Sequence, residues 1–320
     1  MRTIILGNTG DPVSVISLGA WSYGGANQLG TRAVGWSGQQ NEDSIEALLR
    51  CYELGINHWD TADVYGNGKS ELIIGSLWDK VNRSEIFLAT KTGFNSGEYQ
   101  HFYHPEHMRK QMEQSLINLR TNYVDLMYLH HCNFGDHDEY FSDALETVRR
   151  FQEEGKTRFV GLSDWDLSKI MRYIDDVRPD VVQPYRNVMN DTYESSGLKT
   201  WIDKNNTGVC FFSPIKHGLL TGKYTKPAKF GAGDMRGGIE EFTNKNIIRR
   251  MHNNKALLEK RFADHPNPAM HGIVDALLID AKSGCVLLGQ RNINQVNTAS
   301  TLGTIMSEND TNWVRRLYKS

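Results

Sequence analysis

The chain has 320 residues, 39% hydrophobic and 23% charged, with a formal net charge of −2 at pH 7. These are the proportions of an ordinary globular protein, and so small a net charge gives no basic field for nucleic acid or anionic lipid. Four scattered cysteines, Cys51, Cys132, Cys210 and Cys285, include no CxxC pair, which fits a reduced, cytoplasmic setting better than a disulfide scaffold.

The opening MRTIILGNTG has no extended apolar stretch of the signal-peptide kind. No window approaches the roughly 18 apolar residues of a membrane span. Residues 3–15 read as a β-hairpin around Asn8-Thr9-Gly10. Short apolar runs then predict strands at 13–18, 56–60, 86–91, 124–130, 158–163, 181–183, 208–213 and 285–289. Helical periodicity fills the intervals at 42–55, 105–119, 142–155, 166–176 and 192–206. In the first of these Ile45, Leu48, Leu49 and Tyr52 share a face. Gly55, Pro105 and Gly155 sit where helix punctuation is expected. Between 213 and 285 the spacing is uneven, with a long irregular loop at 217–238 and an extra helix at 243–263.

Strands alternating with helices predict a parallel sheet, because parallel neighbours need crossover connections. Eight strands are the number that closes into a barrel filled by side chains. An open doubly wound sheet would want a glycine-rich phosphate turn, and no GxGxxG occurs. The expected fold is α/β, a (β/α)8 TIM barrel over 1–320 as one domain. It carries an N-terminal β-hairpin and extra C-terminal helices.

Such barrels carry chemistry at the C-terminal strand ends. There the sequence sets Asp60 with Tyr65 in the following loop, Lys91, His130, Ser163-Asp164, Gln183 and Phe212-Ser213-Pro214. Taken singly, each has an ordinary structural role, as a capping aspartate, a packed loop tyrosine, a solvated lysine or a satisfied barrel histidine. Gathered on one rim, Asp60, Tyr65, Lys91 and His130 suit proton transfer. A phenol of pKa ~10 is a weak acid at neutral pH. An ammonium about 4 Å away, at an effective dielectric of ~20, interacts with the phenolate by up to ~4 kcal/mol, about three pKa units. Lys91 is therefore expected to lower Tyr65 toward working pH, while Asp60 keeps Lys91 charged and His130 orients a carbonyl oxygen. Protonating a developing alkoxide also requires a hydride, which a nicotinamide cofactor supplies and no side chain does.

The stretches 60-DTADVYG-66, 89-ATK-91, 124-VDLMYLH-130, 155-GKTRFVGLSD-164, 212-FSPIKHGLLTGKY-224 and 289-GQRNINQV-296 resemble the aldo-keto reductases, in family order over nearly the whole chain. SPIxxGLLTGKY is similar to the bacterial-type oxidoreductases and the potassium-channel β-subunit branch. The resemblance implies a catalytic tetrad of Asp60, Tyr65, Lys91 and His130, with Tyr65 the general acid. It also implies that Ser163, Asp164 and Gln183 hold the nicotinamide carboxamide and that Phe212 stacks on its ring. Ser213, Pro214, Ile215, Gly218 and Leu220 would follow the pyrophosphate, with Lys223 and Arg236 as phosphate-contacting cations. Gly289, Arg291 and Gln295 match the adenosine-phosphate end. Ala20, Trp21 and Asp60 border the cofactor. Arg291 favours NADPH, because guanidinium matches a 2′-phosphate in charge and geometry; NADH is the other option.

Three positions depart from the family pattern: Asp164 replaces a usual asparagine, Arg186 ends 183-QPYR-186 where an aromatic is frequent, and Thr298-Ala299 replaces a Glu-Asn pair. The implied substrate pocket comprises Trp21, Tyr65, His130 and His131, with Trp165 and Tyr185 nearby. It suits a small aldehyde, ketone or sugar-like carbonyl. A metal-dependent hydrolase is the first rival, prompted by 130-HHCNFGDHDE-139 and 101-HFYHPEH-107. Adjacent residues on a strand point to opposite faces, so His130 and His131 do not read as a ligand pair and no metal is expected. The second rival is a cofactor-sensing regulatory subunit. Nothing in the sequence signals an oligomeric state.

Overall fold

The structure is a computed structural model, and it describes residues 1–319. Eight strands close into a barrel: β1 (Ile16–Gly19), β2 (His58–Asp60), β3 (Phe87–Thr92), β4 (Val124–Leu129), β5 (Thr157–Asp164), β6 (Val181–Pro184), β7 (Gly208–Phe211) and β8 (Gly284–Gly289). They run in chain order around the barrel, and every neighbouring pair is parallel. Helices cover the outside, so the strands are apolar on both faces; β3 and β4 are buried at every residue.

The crossovers are α1 (Asn41–Glu53), α2 (Lys69–Gly75), α3 (Pro105–Leu119), α4 (Phe141–Glu153), α5 (Leu167–Val177) and α6 (Leu198–Asn205). After β7 come α7 (Lys245–Arg261) and a helical run over 268–280; α8 (Ile293–Ser300) and α9 (Glu308–Tyr318) follow β8. Side chains cap several starts. Asp166 accepts the Ser168 amide ahead of α5, and Asn244 accepts from Asn246 and Ile247 ahead of α7.

Four features differ from the sequence reading. The run 13–18 is not one strand. Pro12–Ser14 pairs antiparallel with Thr3–Ile5 in the hairpin, and the barrel strand begins at Ile16. This hairpin plugs the barrel floor, packing Leu6 and Val13 with Val181 and Cys210. α6 starts only at Leu198, because Gly197 (φ 84°) stands in the left-handed conformation before it. The run 268–280 has no amphipathic signature because it is buried nearly all round, with Ile273, Val274, Ala276 and Leu277 at 0% exposure. A two-residue-per-strand hairpin, Gln28–Leu29 with Arg32–Ala33, lies in the loop after β1.

Phe87, Ala89, Leu126, Tyr128, Cys210, Cys285 and Leu287 fill the barrel interior. A Cβ on Gly161 would lie 2.2 Å from the Tyr128 ring, so the missing side chain on β5 makes room for the tyrosine. Among the described residues no helix is long and apolar enough to cross a membrane.

Candidate active site

Strand alternation builds the centre of the site. On β3, Phe87 and Ala89 point into the barrel and so does Lys91, two residues on, whereas Thr90 points outward and donates to Glu71 at 2.7 Å. β2 pairs with β3, Asp60 opposite Ala89, which brings the Asp60 carboxylate to Lys91. Both side chains are 1% exposed. The ammonium has three protons and three acceptors: an Asp60 carboxylate oxygen, the Thr61 carbonyl at 2.7 Å and the Tyr65 phenol oxygen at 3.4 Å. The second Asp60 oxygen accepts from Gln183 Nε2 at 2.8 Å, across the barrel from β6. A buried ion pair is tolerable only when its remaining groups are satisfied this completely.

Tyr65 is held by backbone packing. A Cβ on Gly24 would meet the Gly66 nitrogen and the Tyr65 carbonyl carbon, both at 2.5 Å, so the loops after β1 and β2 touch main chain to main chain. Thr61 donates to Ser70, which donates to the Ala20 carbonyl, tying the same loops a second time. The Trp21 ring stacks beside Tyr65 with centroids 5.8 Å apart and is fixed by its own N–H to the Val34 carbonyl at 2.9 Å.

The electrostatics modify one expectation. Burial pushes the Tyr65 phenol up, Lys91 pulls it down and Asp60 opposes that pull; the outcome is about 12, above the ordinary value. The anticipated lowering by Lys91 exists, but desolvation outweighs it. Burial also works against the Lys91 ammonium, yet Asp60 and Tyr65 more than offset it and Lys91 stays charged. Burial, reinforced by His131 and Lys91, holds His130 well below the usual histidine value, so its ring is neutral at pH 7.

These groups open onto a cavity of about 1150 Å³. Single small-molecule sites run about 300–1,000 Å³, so this one admits something larger. Trp21, Asp60, Tyr65, His130, Ser163, Gln183 and Phe212 line its inner part; Ser213, Pro214, Ile215 and Gly218 line one wall; Lys223, Arg236, Gly289, Arg291 and Gln295 line the far end. Six of the residues singled out from sequence do not line it; one is Tyr185, whose ring lies against Trp165 with centroids 5.0 Å apart. Lys91 lies beneath Asp60 and Tyr65. Ala20 is buried with its amide on the Asp60 carbonyl at 2.9 Å. The Leu220 carbonyl accepts from Tyr318. Asp164 accepts the Cys132 and Asp166 amides at 2.8 Å each, a task an acceptor-only carboxylate suits. His131 stacks on His130 with centroids 5.0 Å apart, its amide and carbonyl both on the Tyr103 hydroxyl.

Arg186, a departure noted above, is a core residue. It pairs with Asp191 and Asp280 and lies over Tyr193 and Phe211. The long loop after β7 carries three non-glycine residues in the left-handed region, Ser213 (φ 57°), Lys216 (φ 45°) and His217 (φ 57°), just ahead of Gly218. Strain of this kind concentrates at binding sites. The cations differ among themselves. Arg236 is neutralised by both oxygens of Asp234 and wedged between Trp36 and Phe230 at 4.4 and 4.3 Å. Arg291 bonds only neutral groups, Gln39 at 2.8 Å and the Ser37 carbonyl at 3.0 Å. Among the described residues neither Arg291 nor Lys223 has a carboxylate within 4 Å; burial and then the nearby Arg236 charge lower both of their pKa values, and Arg291 lowers Lys223 further. An exposed lysine and a half-buried arginine, neither paired with a carboxylate, at a cavity end are a seat for anionic groups.

Sequence reasoning missed Trp36, Phe94 and His217 in the lining, and Lys255, Glu259 and Asn267 at the far end. They come from irregular loops and from the helix after β7, where no periodicity or motif marks them.

The closed eight-stranded parallel barrel, with its polar groups at the C-terminal strand ends, places the chain among the (β/α)8 barrel proteins, and sequence comparison narrows the class. The profile described as "Aldo/keto reductase family" matches residues 15–301. The chain is 31% identical over 221 residues to L-galactose dehydrogenase of Arabidopsis thaliana, spanning 68% of this chain and 66% of that protein. It is 29% identical over 265 residues to the NADH-specific methylglyoxal reductase of Escherichia coli K12, spanning 78% and 77%. Among solved structures it is similar to a glycerol dehydrogenase from Gluconobacter oxydans, with a TM-score of 0.80 at 25% identity over 98% of this chain and 94% of that one. The chain belongs to the aldo-keto reductase family.

Proposed function

We propose that this protein is an NADPH-dependent oxidoreductase that reduces an aldehyde, ketone or sugar-like carbonyl to the alcohol, with Tyr65 as proton donor. The observation that carries the reading is the Lys91 ammonium joined at once to Asp60 and Tyr65 beneath the cavity.

When bound, the nicotinamide supplies the hydride. Lys223 and Arg291 are the residues that would hold its phosphates, since their charges are otherwise unpaired, and Phe212, Ser163 and Gln183 would flank the nicotinamide end. The chain's own groups handle the proton. The Tyr65 O–H, protonated throughout the neutral range, faces the cavity. As negative charge grows on the substrate oxygen, the phenol proton transfers to it, and Lys91, 3.4 Å away, stabilises the phenolate left behind. Asp60 fixes Lys91, and Gln183 fixes Asp60. Neutral His130 retains one N–H with which to hold the carbonyl oxygen. Trp21, Trp36 and Phe94 give the inner cavity aromatic walls suited to a small carbonyl compound.

Arg291 sets the cofactor preference toward NADPH in this reading; the relative named NADH-specific makes that preference the point to measure. The test is nicotinamide fluorescence titration with NADPH and NADH, followed by an aldehyde and ketone screen read as loss of nicotinamide absorbance. Tight binding of either dinucleotide with turnover of at least one carbonyl supports the proposal. Binding with complete inertness across the panel overturns the enzymatic reading.

A further inference from the structure

Beneath the tetrad the barrel core contains a group of side chains that the reduction does not use. Cys210 on β7 and Cys285 on β8 are register partners in adjacent parallel strands, so their side chains share the inner face. His58 on β2 faces them from one strand beyond β1. All three are buried at 0% exposure, and their ligand atoms lie within 4.8 Å of one another. His58 makes its polar contacts through Nδ1, 3.5 Å from Cys285 Sγ and 2.9 Å from the Ser17 hydroxyl of β1, while its Nε2 is buried without a partner. Two thiols, an imidazole and a hydroxyl thus occupy four consecutive strands, β7, β8, β1 and β2, in a space that barrels ordinarily fill with branched aliphatic residues.

We propose that His58, Cys210 and Cys285 form a buried structural zinc site in the barrel core, with Ser17 Oγ at the fourth position. Zn–S bonds of ~2.3 Å and a Zn–N bond of ~2.0 Å at a tetrahedral angle separate sulfur from nitrogen by ~3.5 Å, which is the spacing observed between Cys285 and His58. Charge selects the ion as well. Two thiolates and one imidazole balance a divalent cation to zero, and a net charge in a fully buried site would be heavily penalised. A monovalent soft ion leaves one negative charge, and oxygen-seeking calcium or magnesium does not suit thiolate ligands. The ion would tie strands drawn from both ends of the chain. It would enter during folding, because the closed barrel leaves these groups no exposure.

The experiment refolds the full chain from denaturant with zinc alone, dialyses it exhaustively, and measures metal content and the zinc X-ray absorption fine structure. The expected result is about one zinc per chain with two Zn–S and one Zn–N distance in the ranges above, and loss of that zinc in the Cys210→Ala/Cys285→Ala variant. Should the variant fail to fold, cobalt(II) replaces zinc in the wild-type refolding. The charge-transfer and d–d bands of tetrahedral thiolate-bound cobalt then support the site, and an octahedral oxygen-ligand spectrum overturns it. Three further outcomes overturn it: no metal retained by the wild type, a Cys210–Cys285 disulfide on mass analysis, or equal zinc in wild type and variant. The last would move the metal to half-buried His265 with buried His271 and Asp275.

Discussion

The phenol oxygen of Tyr65 lies 3.4 Å from the ammonium of Lys91, close enough to stabilise a phenolate, yet burial keeps the phenol at about 12. The two facts have opposite consequences for the two directions of a carbonyl–alcohol reaction.

Reduction needs the protonated phenol, which is the dominant form at every pH below about 12. Oxidation of the alcohol needs the phenolate, whose fraction falls about tenfold for each pH unit below that value. The pH profile of kcat/KM for reduction is therefore expected to be level from about pH 6 to 9 so far as Tyr65 governs it. The profile for oxidation should climb by about one logarithmic unit per pH unit over the same span. A plateau in oxidation beginning near neutrality would show that the phenol of the free enzyme is already acidic, contrary to the dominance of burial.

Arg291 has only neutral partners, Gln39 and the Ser37 carbonyl. Losing one charge-assisted hydrogen bond costs about 1.5–3 kcal/mol, roughly 10- to 100-fold in affinity. Arg291→Ala should weaken NADPH by about that factor and NADH far less, measured by fluorescence titration of both. Equal losses would remove the 2′-phosphate role.

Asp63 titrates out of place. Burial, with a contribution from Glu71, raises its carboxyl from 3.8 to about 7; one oxygen accepts from Gln111 at 3.1 Å and the other has no partner. The folded chain thus holds a proton that the unfolded chain releases between these values. The associated stability is intact below about pH 4 and is lost as the pH rises to about 7, up to about 4 kcal/mol in all. Asp63→Asn, which keeps the shape without the charge, should melt above the wild type at pH 8, with the gap closing toward pH 5. A pH-independent difference, or a less stable variant at pH 8, would contradict the assignment.

Much of this arrangement was legible beforehand because it rests on short periods. Short apolar runs mark the strands, and reading off their C-terminal ends sets Asp60, Lys91 and His130 on one rim, with Tyr65 in the loop after the second strand. What escaped depends on three dimensions. The run 268–280 is buried all round and carries no helical stripe, and Trp36, Phe94 and His217 reach the cavity from loops whose course no local pattern dictates. The Tyr65 acidity was misjudged for a related reason. A charge on the neighbouring strand is visible in sequence order, whereas the loss of water around the phenol appears only once the loops after β1 and β2 close on each other at Gly24 and Gly66.

The most direct test of the central claim is a single-turnover measurement of nicotinamide oxidation in wild type and Tyr65→Phe, using an aldehyde that the wild type reduces. Dinucleotide affinity is measured on the same samples. The account predicts unchanged cofactor binding and a rate about 10²- to 10⁴-fold lower in the variant, the range general acid catalysis supplies. A variant that binds the cofactor and turns over within a few-fold of the wild type would contradict it, because the proton would then come from another group.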